Sequence, residues 1–178
     1  MAATTGLLTV EEFLNLPDPK EGHIELHHGE VVVVPPPKWG HQRLQGRLSM
    51  LLEGVAGEGY VVRVQMVFQP TPEHEVWVSD VGCVTRERDA ATGDDEYIMG
   101  APELIIEVLS PSDRVDEIND KMSTYMTNGC RSFWTVDDKC KLVSVTEGDV
   151  TRHYGQSDSI SCSLFQAQIR VEEIFSTL

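Results

Sequence analysis

The chain has 178 residues, of which 40% are hydrophobic and 24% charged, and this composition excludes a disordered chain, a collagen-like repeat and a disulfide miniprotein. A length of about 100 to 200 residues is typical of one domain, so we expect a single domain over residues 1–178. The 14 Lys and Arg against 29 Asp and Glu give a net charge of −15. Such a charge repels phosphate at long range unless a local basic face or a bound metal compensates it.

Two further features of the sequence indicate the cellular compartment of the protein. No apolar run approaches the ~18 residues needed to span a bilayer, and residues 1–6 lack the basic and apolar regions of a signal peptide. The four cysteines, at 83, 130, 140 and 162, form no Cys-x-x-Cys pair. We therefore expect reduced, buried thiols in a cytoplasmic protein without a membrane partner.

Hydrophobic periodicity and turn signals predict helices and strands in the first half of the chain. Thr9 and Glu12 have the spacing of a capping box at the start of a helix. The turn sequence His27-His28-Gly29 separates two extended runs, which predicts a hairpin. In chain order, the predicted elements are a helix ending at Leu16, hairpin strands over 23–26 and 30–34, a helix over 40–55, and strands over 60–69 and 75–84.

A nearly continuous apolar run over residues 102–109 predicts a strand that is covered on both faces. Residues 85–100 show no periodicity, so they are predicted to form a surface loop. The other predicted elements are a helix that starts at 110–113 and ends at Asn128-Gly129, followed by strands over 131–136, 141–146 and 150–154. This order predicts an α/β or α+β domain with a mixed sheet and a strand–helix–strand crossover over 102–136.

Two carboxylates lie within apolar strands. Glu107 lies within the apolar run 104–109, and Asp80 lies within the strand-like run 76–81. A carboxylate there loses hydration worth on the order of several kcal/mol unless it is paired or binds a cation. On adjacent strands, the two carboxylates could hold one hard divalent cation, with waters and a backbone carbonyl as further ligands. The alternatives are a Glu107 that accepts from loop amides and an Asp80 that caps a strand end.

Lys121 lies at the edge of the apolar stripe of the following helix, roughly 90° from the centre of that stripe. Its methylenes can lie along the sheet, which would bring its ammonium to the strand ends that carry Asp80 and Glu107. The alternative is an ordinary solvated lysine.

Short sequence blocks follow one another in a fixed order from about residue 8 to the C-terminus. They are Ile24-Glu25-Leu26 with Gly29-Glu30, Pro35-Pro36-Pro37 with His41-Gln42, Val78-Ser79-Asp80-Val81, Ala101-Pro102-Glu103-Leu104, Glu107-Val108-Leu109-Ser110-Pro111-Ser112, Lys121, Tyr125, Gly129 and Phe133-Trp134-Thr135-Val136-Asp137. In these blocks the chain resembles the bacterial Uma family of restriction endonuclease-like proteins, a branch of the PD-(D/E)xK nuclease superfamily.

The resemblance implies a restriction-endonuclease-like core, a mixed β-sheet flanked by helices, in which Asp80, Glu107 and the backbone of Val108 bind Mg²⁺ or Mn²⁺. It implies hydrolysis of nucleic acid, with DNA as the first candidate substrate and a homodimer as a candidate assembly. The superfamily's lysine stands two residues after the glutamate, where this chain has Leu109. The family resemblance therefore implies that Lys121 takes over the task of that lysine.

Phosphodiester hydrolysis needs an activated water and a neutraliser of phosphoryl charge, both of which a divalent ion can supply. Lys121 would orient the attacking group or stabilise the transition state. We expect Glu25 to act as an outer ligand or a hydrogen-bond acceptor. We expect His41 to order a water or to hold a carboxylate, and a satisfied core histidine is the alternative for His41.

Two rival functions fit parts of the sequence. His23, Glu25 and His27 share one face of a strand and could bind a transition metal. A nuclease-like fold could also serve as a non-enzymatic interaction protein, which the charge of −15 favours. A basic face for DNA would have to come from dispersed residues, namely Lys38, Arg43, Arg47, Arg86 and Arg88.

Overall fold

The structure is a computed structural model that describes residues 6–176. The domain predicted over 1–178 and the segment 1–6 considered above therefore both extend into residues that lie outside this range. In chain order the elements are α1 Val10–Leu14, β1 His23–His27, β2 Glu30–Val34, α2 Trp39–Ala56, β3 Tyr60–Gln69, β4 Trp77–Thr85, α3 Arg86–Ala91, β5 Ile98–Met99, β6 Leu104–Val108, α4 Val115–Thr127, β7 Ser132–Asp137, β8 Leu142–Glu147, β9 Val150–Tyr154, β10 Ser159–Cys162, β11 Ala167–Arg170 and α5 Val171–Phe175.

A mixed seven-stranded sheet has the strand order β5-β3-β4-β6-β7-β8-β9. Strands β6 and β7 are parallel and are connected through α4, which confirms the predicted crossover. Strand β4 pairs with both β3 and β6 in the antiparallel sense. The mixed α+β fold with a sheet flanked by helices is therefore confirmed. None of the helices within 6–176 combines the length and the apolar character needed to cross a membrane.

Both faces of the central strand β6 are covered by helices and neighbouring strands. Ile106 belongs to the apolar layer under α2, together with Leu48, whereas its neighbour Ile105 belongs to the layer that contains Tyr125 of α4. Successive side chains of a strand point to opposite faces, so both layers draw on the same short segment. All five residues of β6 are buried, which explains why its sequence is a continuous apolar run.

The prediction of a surface loop over 85–100 is wrong, because this segment contains α3 and β5. Helix α3 has no buried residue among the described side chains, so its sequence carries no apolar periodicity. Its start is instead capped by Thr85, whose side chain accepts from the backbone N–H of Arg88. The guanidinium of Arg88 then donates to the backbone carbonyls of Met99, Gly100 and Ala101.

Several boundaries and one cysteine also differ from the prediction. Helix α4 begins at Val115, because Asp113 accepts from the backbone N–H and the hydroxyl of Ser110 and so closes a turn before the helix. Helix α1 ends at Leu14. Cys140 is exposed, whereas the other three thiols are buried as expected. Elements β10, β11 and α5 were not predicted, although their apolar residues complete the layer under α2.

Candidate active site

Asp80 stands where the β3–β4 pair departs from regular alternation. Val62 contributes to the layer under α2, whereas Phe68, an even number of positions later, contributes to the layer under α4. The change occurs at Gln65, which has a φ of 50°, and the ladder skips from Val64↔Val81 to Met66↔Ser79 across Gln65 and Asp80. The register is the same on both sides, so no residue is inserted, and Gln65 and Asp80 are simply left unpaired in the ladder. The Asp80 carboxylate reaches α2 and β6 from this unpaired position.

The Asp80 carboxylate accepts three hydrogen bonds. Its Oδ1 accepts from His41 Nε2 at 2.9 Å and from Gln45 Nε2 at 2.8 Å, and its Oδ2 accepts from the backbone N–H of Val108 at 2.7 Å. His41 and Gln45 are one turn apart on α2, so both face the same carboxylate. The hydrogen bond to Asp80 raises the pKa of His41 despite partial burial. His41 therefore lies where a histidine that holds a carboxylate would lie.

Glu107 forms a buried ion pair with Lys121. The Nζ atom of Lys121 lies 2.7 Å from Oε2 of Glu107, and the Tyr125 hydroxyl donates to Oε1 at 3.2 Å. Burial raises the pKa of Glu107 to about 7, against the attraction of Lys121, and the negative charge of Asp80 adds to the rise. Burial alone would lower the pKa of Lys121, but the neighbouring carboxylate Glu107 outweighs it and raises that pKa.

Asp80 and Glu107 come from facing positions of the two adjacent antiparallel strands. The β4–β6 register aligns Val81 with Ile106, and Asp80 and Glu107 are the next residues in the same direction. The Asp80 carboxylate bonds to the N–H of Val108, the residue that follows Glu107. The register and this hydrogen bond place the two carboxylates in one region at the ends of these strands. Burial is the main cause of the raised pKa of Glu107, and the negative charge of Asp80 adds to it.

Glu25 of the hairpin is a third carboxylate in the same region and, like Glu107, is buried. Its Oε1 accepts from His23 Nε2 at 3.0 Å, and its Oε2 accepts from His27 Nε2 at 2.8 Å and from the N–H of Val78 at 3.1 Å. Burial would raise the pKa of Glu25, but the hydrogen bonds from His23 and His27 outweigh it and lower the pKa to about 2. Attraction between Glu25 and Lys121 adds to this lowering.

His28, which follows the first strand of the hairpin, holds the hairpin against α4. His28 Nδ1 lies 2.9 Å from Glu75, and His28 Nε2 lies 3.0 Å from Asp120, which directly precedes Lys121. The ring of His27 stacks on Trp77 with a centroid distance of 3.6 Å and an interplanar angle of 5°. These contacts explain why Glu25 and Lys121, which are far apart in the sequence, influence each other.

The donor groups of Asp80 and Glu107 suit a hard divalent cation. Each carboxylate has about four lone-pair positions, of which Asp80 uses three and Glu107 uses two in the contacts above. Among the described residues, the carboxyl groups of Asp80, Glu107 and Glu25 outnumber the one ammonium in this region, that of Lys121. Several carboxyl oxygens beside a single ammonium fit Mg²⁺ or Mn²⁺, whose preferred ligands are oxygens.

The rival metal site on β1 receives no support from this geometry. The Nε2 atoms of His23 and His27 both bond to the carboxylate of Glu25, so the three groups satisfy one another. Within residues 6–176, no cluster of three or more His, Cys, Asp and Glu side chains is arranged to hold a metal ion. An ion between Asp80 and Glu107 would therefore need backbone, water or substrate oxygens to complete its shell.

Three of the five basic residues expected to face DNA have structural partners instead. Arg47 donates to the carbonyl of Glu173, and Arg86 donates to the carbonyl of Glu58. Arg88 forms an ion pair with Glu103 at 2.9 Å, in addition to the three carbonyl contacts described above. The expectation of a five-residue basic face is therefore corrected to Lys38 and Arg43, both exposed near the start of α2.

Sequence reasoning missed Gln45 as a member of the site. Its side chain is only 2% exposed, and a buried amide needs hydrogen-bond partners. The signal was available, because Gln45 stands one helical turn after His41 and beside the apolar residue Leu44.

Comparisons with known proteins give a family match and a solved structure with a similar fold. Residues 10–176 match the sequence profile of the Uma2 family, which is described as "Putative restriction endonuclease". A crystal structure from Anabaena variabilis ATCC 29413, described as "a putative nuclease belonging to DUF820", superposes with a TM-score of 0.80 at 18% sequence identity. The match covers 94% of this chain and 97% of that one. A search of curated proteins gives no match.

Proposed function

Because the chain belongs to the Uma2 family, which is described as "Putative restriction endonuclease", we propose that it is a nuclease that depends on Mg²⁺ or Mn²⁺ and hydrolyses phosphodiester bonds of DNA. The observation that carries this proposal is the buried Glu107–Lys121 pair beside Asp80. Carboxylates and an ammonium in this arrangement are the groups that phosphodiester hydrolysis requires.

Asp80 and Glu107 are the proposed ligands, with the carbonyl of Val108 as a further one. A divalent ion bound there would supply Lewis acidity towards the phosphoryl oxygens and lower the pKa of an attacking water. His41 and Gln45 fix the orientation of Asp80 through its Oδ1. These hydrogen bonds hold the carboxylate in one rotamer. Loss of such outer hydrogen bonds typically lowers metal affinity by about 10- to 100-fold.

Lys121 is the proposed electrophilic group. An ammonium has three protons, and the contact with Glu107 uses one of them. The other protons can be donated to a phosphoryl oxygen or to the attacking water. Tyr125 holds the other oxygen of Glu107, so the carboxylate stays in place when Lys121 turns towards a substrate. Glu25 adds negative charge that keeps Lys121 protonated.

The test is a cleavage assay on supercoiled plasmid, single-stranded DNA and RNA, with Mg²⁺ or Mn²⁺ and with EDTA. We expect cleavage that needs the metal and that is lost in Asp80→Asn and Glu107→Gln. The assay must span ionic strength, because the charge of −15 opposes the approach of phosphate most strongly at low salt. Equal cleavage by wild type and both variants would contradict the proposal.

The second candidate function is that of an interaction protein with a nuclease-like fold. It is favoured by the net charge of −15 and by the contacts of Arg47, Arg86 and Arg88, whose guanidinium groups bind groups of the protein itself. A protein that binds the metal but cleaves none of the three substrates at any salt concentration would favour this second function.

A further inference from the structure

One tryptophan of this protein is displayed to solvent. Trp39 is 80% exposed, whereas Trp77 and Trp134 are fully buried. An indole offers a large flat apolar surface whose contact with water is unfavourable. An exposed tryptophan is either an ordinary surface residue or part of a binding site, and the residues around Trp39 distinguish these two cases.

Trp39 lies in the helical turn that holds the proposed ligand Asp80. It is the first residue of α2, and His41, which donates to Asp80, follows two positions later. Two residues of helix correspond to an axial rise of about 3 Å, and a helix with its side chains is about 10 to 12 Å across. At about 100° per residue, Trp39 and His41 project from nearly opposite sides of α2, so a strand that contacts both the indole and the region of Asp80 passes around the N-terminal turn of this helix.

Two basic residues lie close to Trp39 along the chain of this otherwise acidic protein. Lys38 directly precedes Trp39, and Arg43 lies one turn later on the same helical face. Both side chains are exposed, and within residues 6–176 neither takes part in an ion pair or a side-chain hydrogen bond. They are thus available to an anionic ligand, unlike Arg47, Arg86 and Arg88.

The small extent of the apolar surface argues against a second copy of this chain as the occupant. The exposed residues next to Trp39 on α2 are Gly40, Gln42, Arg43 and Gly46, which supply little apolar area. A stable protein interface needs roughly 800 Å² per partner. An aromatic side chain with flanking cations is instead the arrangement that binds unpaired nucleotides, through base stacking and phosphate contacts.

We propose that Trp39 stacks on an unpaired base of the substrate strand while Lys38 and Arg43 bind adjacent phosphates, so that the protein prefers single-stranded or locally unwound nucleic acid. This proposal rests on the proposed nuclease function and specifies the class of its substrate.

The fluorescence of Trp39 provides the test, because an exposed indole among buried ones reports selectively on its own surroundings. Binding of a single-stranded oligothymidylate is measured with Ca²⁺ in place of Mg²⁺. We expect quenching in the wild type and an affinity weakened by about 5- to 150-fold in Trp39→Ala, with Trp39→Phe close to wild type. Met50→Ala is the matched control, since Met50 is exposed three turns later on the same helix, and it should bind like the wild type.

An abasic oligomer of the same length and charge separates stacking from phosphate attraction. We expect the wild type to bind it no more tightly than Trp39→Ala binds oligothymidylate. Equal binding of the abasic and thymidylate oligomers by the wild type would overturn the proposal, and so would unchanged binding in Trp39→Ala. A blue shift of Trp39 emission on concentrating the protein alone would also overturn it, because a second copy would then cover the indole.

Cleavage is measured separately, so the two proposals can fail independently. Metal-dependent cleavage by the wild type together with unchanged oligomer binding in Trp39→Ala overturns the stacking and leaves the nuclease function in place. Quenching that Trp39→Ala abolishes, in a protein that cleaves nothing, supports the stacking and overturns the nuclease function.

Discussion

The ammonium of Lys121 lies 2.7 Å from the carboxylate of Glu107, although the two residues are 14 positions apart and belong to a helix and a strand. Helix α4 follows β6 in the chain and packs against the sheet. A lysine at the edge of the apolar stripe of α4 can therefore contact a residue of β6. A lysine two residues after Glu107 would occupy the position of Leu109, which lies beyond the end of β6.

The first prediction concerns metal binding. We expect millimolar Mg²⁺ or Mn²⁺ to raise the melting temperature of the wild type, because an ion that binds only the folded state stabilises it by mass action. Glu107→Gln should abolish most of this rise. The matched control is Glu103→Gln, which changes another largely buried carboxylate that is paired with an arginine and should leave the metal-induced rise intact. An undiminished rise in Glu107→Gln would place the metal elsewhere.

The second prediction concerns Lys121. Lys121→Met should reduce cleavage by about 10²-fold or more if the ammonium acts on the transition state. It should also destabilise the fold by about 3 to 5 kcal/mol, because Glu107 loses its partner in a buried setting. The double variant Lys121→Met/Glu107→Gln should recover much of that stability in urea unfolding without recovering cleavage. Lys139→Met, at an exposed position, is the control, and cleavage by Lys121→Met at the rate of this control would exclude a catalytic role for Lys121.

The third prediction concerns the orientation of Asp80. Gln45→Leu removes a donor to Oδ1 of Asp80 while keeping the volume of a buried side chain. We expect metal affinity, measured by calorimetric titration, to fall by about 10- to 100-fold. Gln42→Leu, at an exposed position of the same helix, should leave the affinity unchanged. The same affinity in both variants would show that Gln45 does not orient the ligand.

The fourth prediction concerns acid stability and Glu25. The pKa of Glu25 is lowered in the folded state to about 2 from 4.5, so its ionised form stabilises the fold above pH 4.5. That contribution is lost as the pH falls from 4.5 towards 2, and it amounts to on the order of 3 kcal/mol. The free energy of unfolding in urea should therefore fall more steeply over this range in the wild type than in Glu25→Gln. Parallel pH profiles would show that the hydrogen bonds of Glu25 contribute no such stability.

Local sequence patterns determined most of the elements that build this fold. The hairpin was predictable because a Gly-containing turn separates two extended runs, and the Thr9 capping box is present as expected. The buried strand β6 could be recognised because a strand covered on both faces has apolar residues at every position. Helix α3 could not be recognised from the sequence, because it buries no side chain and therefore has no periodic apolar pattern. A cap and the contacts of Arg88 hold it in place instead.

For the candidate site, the sequence by itself determined which side chains are anomalous, since a carboxylate in an apolar strand requires compensation wherever that strand lies. The histidines that hold Glu25 lie two residues to either side of it on β1, so alternation along one strand already places them on a shared face. Only the tertiary structure decided which groups compensate Glu107 and Asp80. Lys121 and Tyr125 of α4 reach Glu107, and Gln45 and His41 of α2 reach Asp80. These partners come from elements other than the strands that carry the two carboxylates, and their meeting depends on the irregularity at Asp80 and on the packing of two helices against opposite faces of the sheet. Spacing along the chain does not encode those distances.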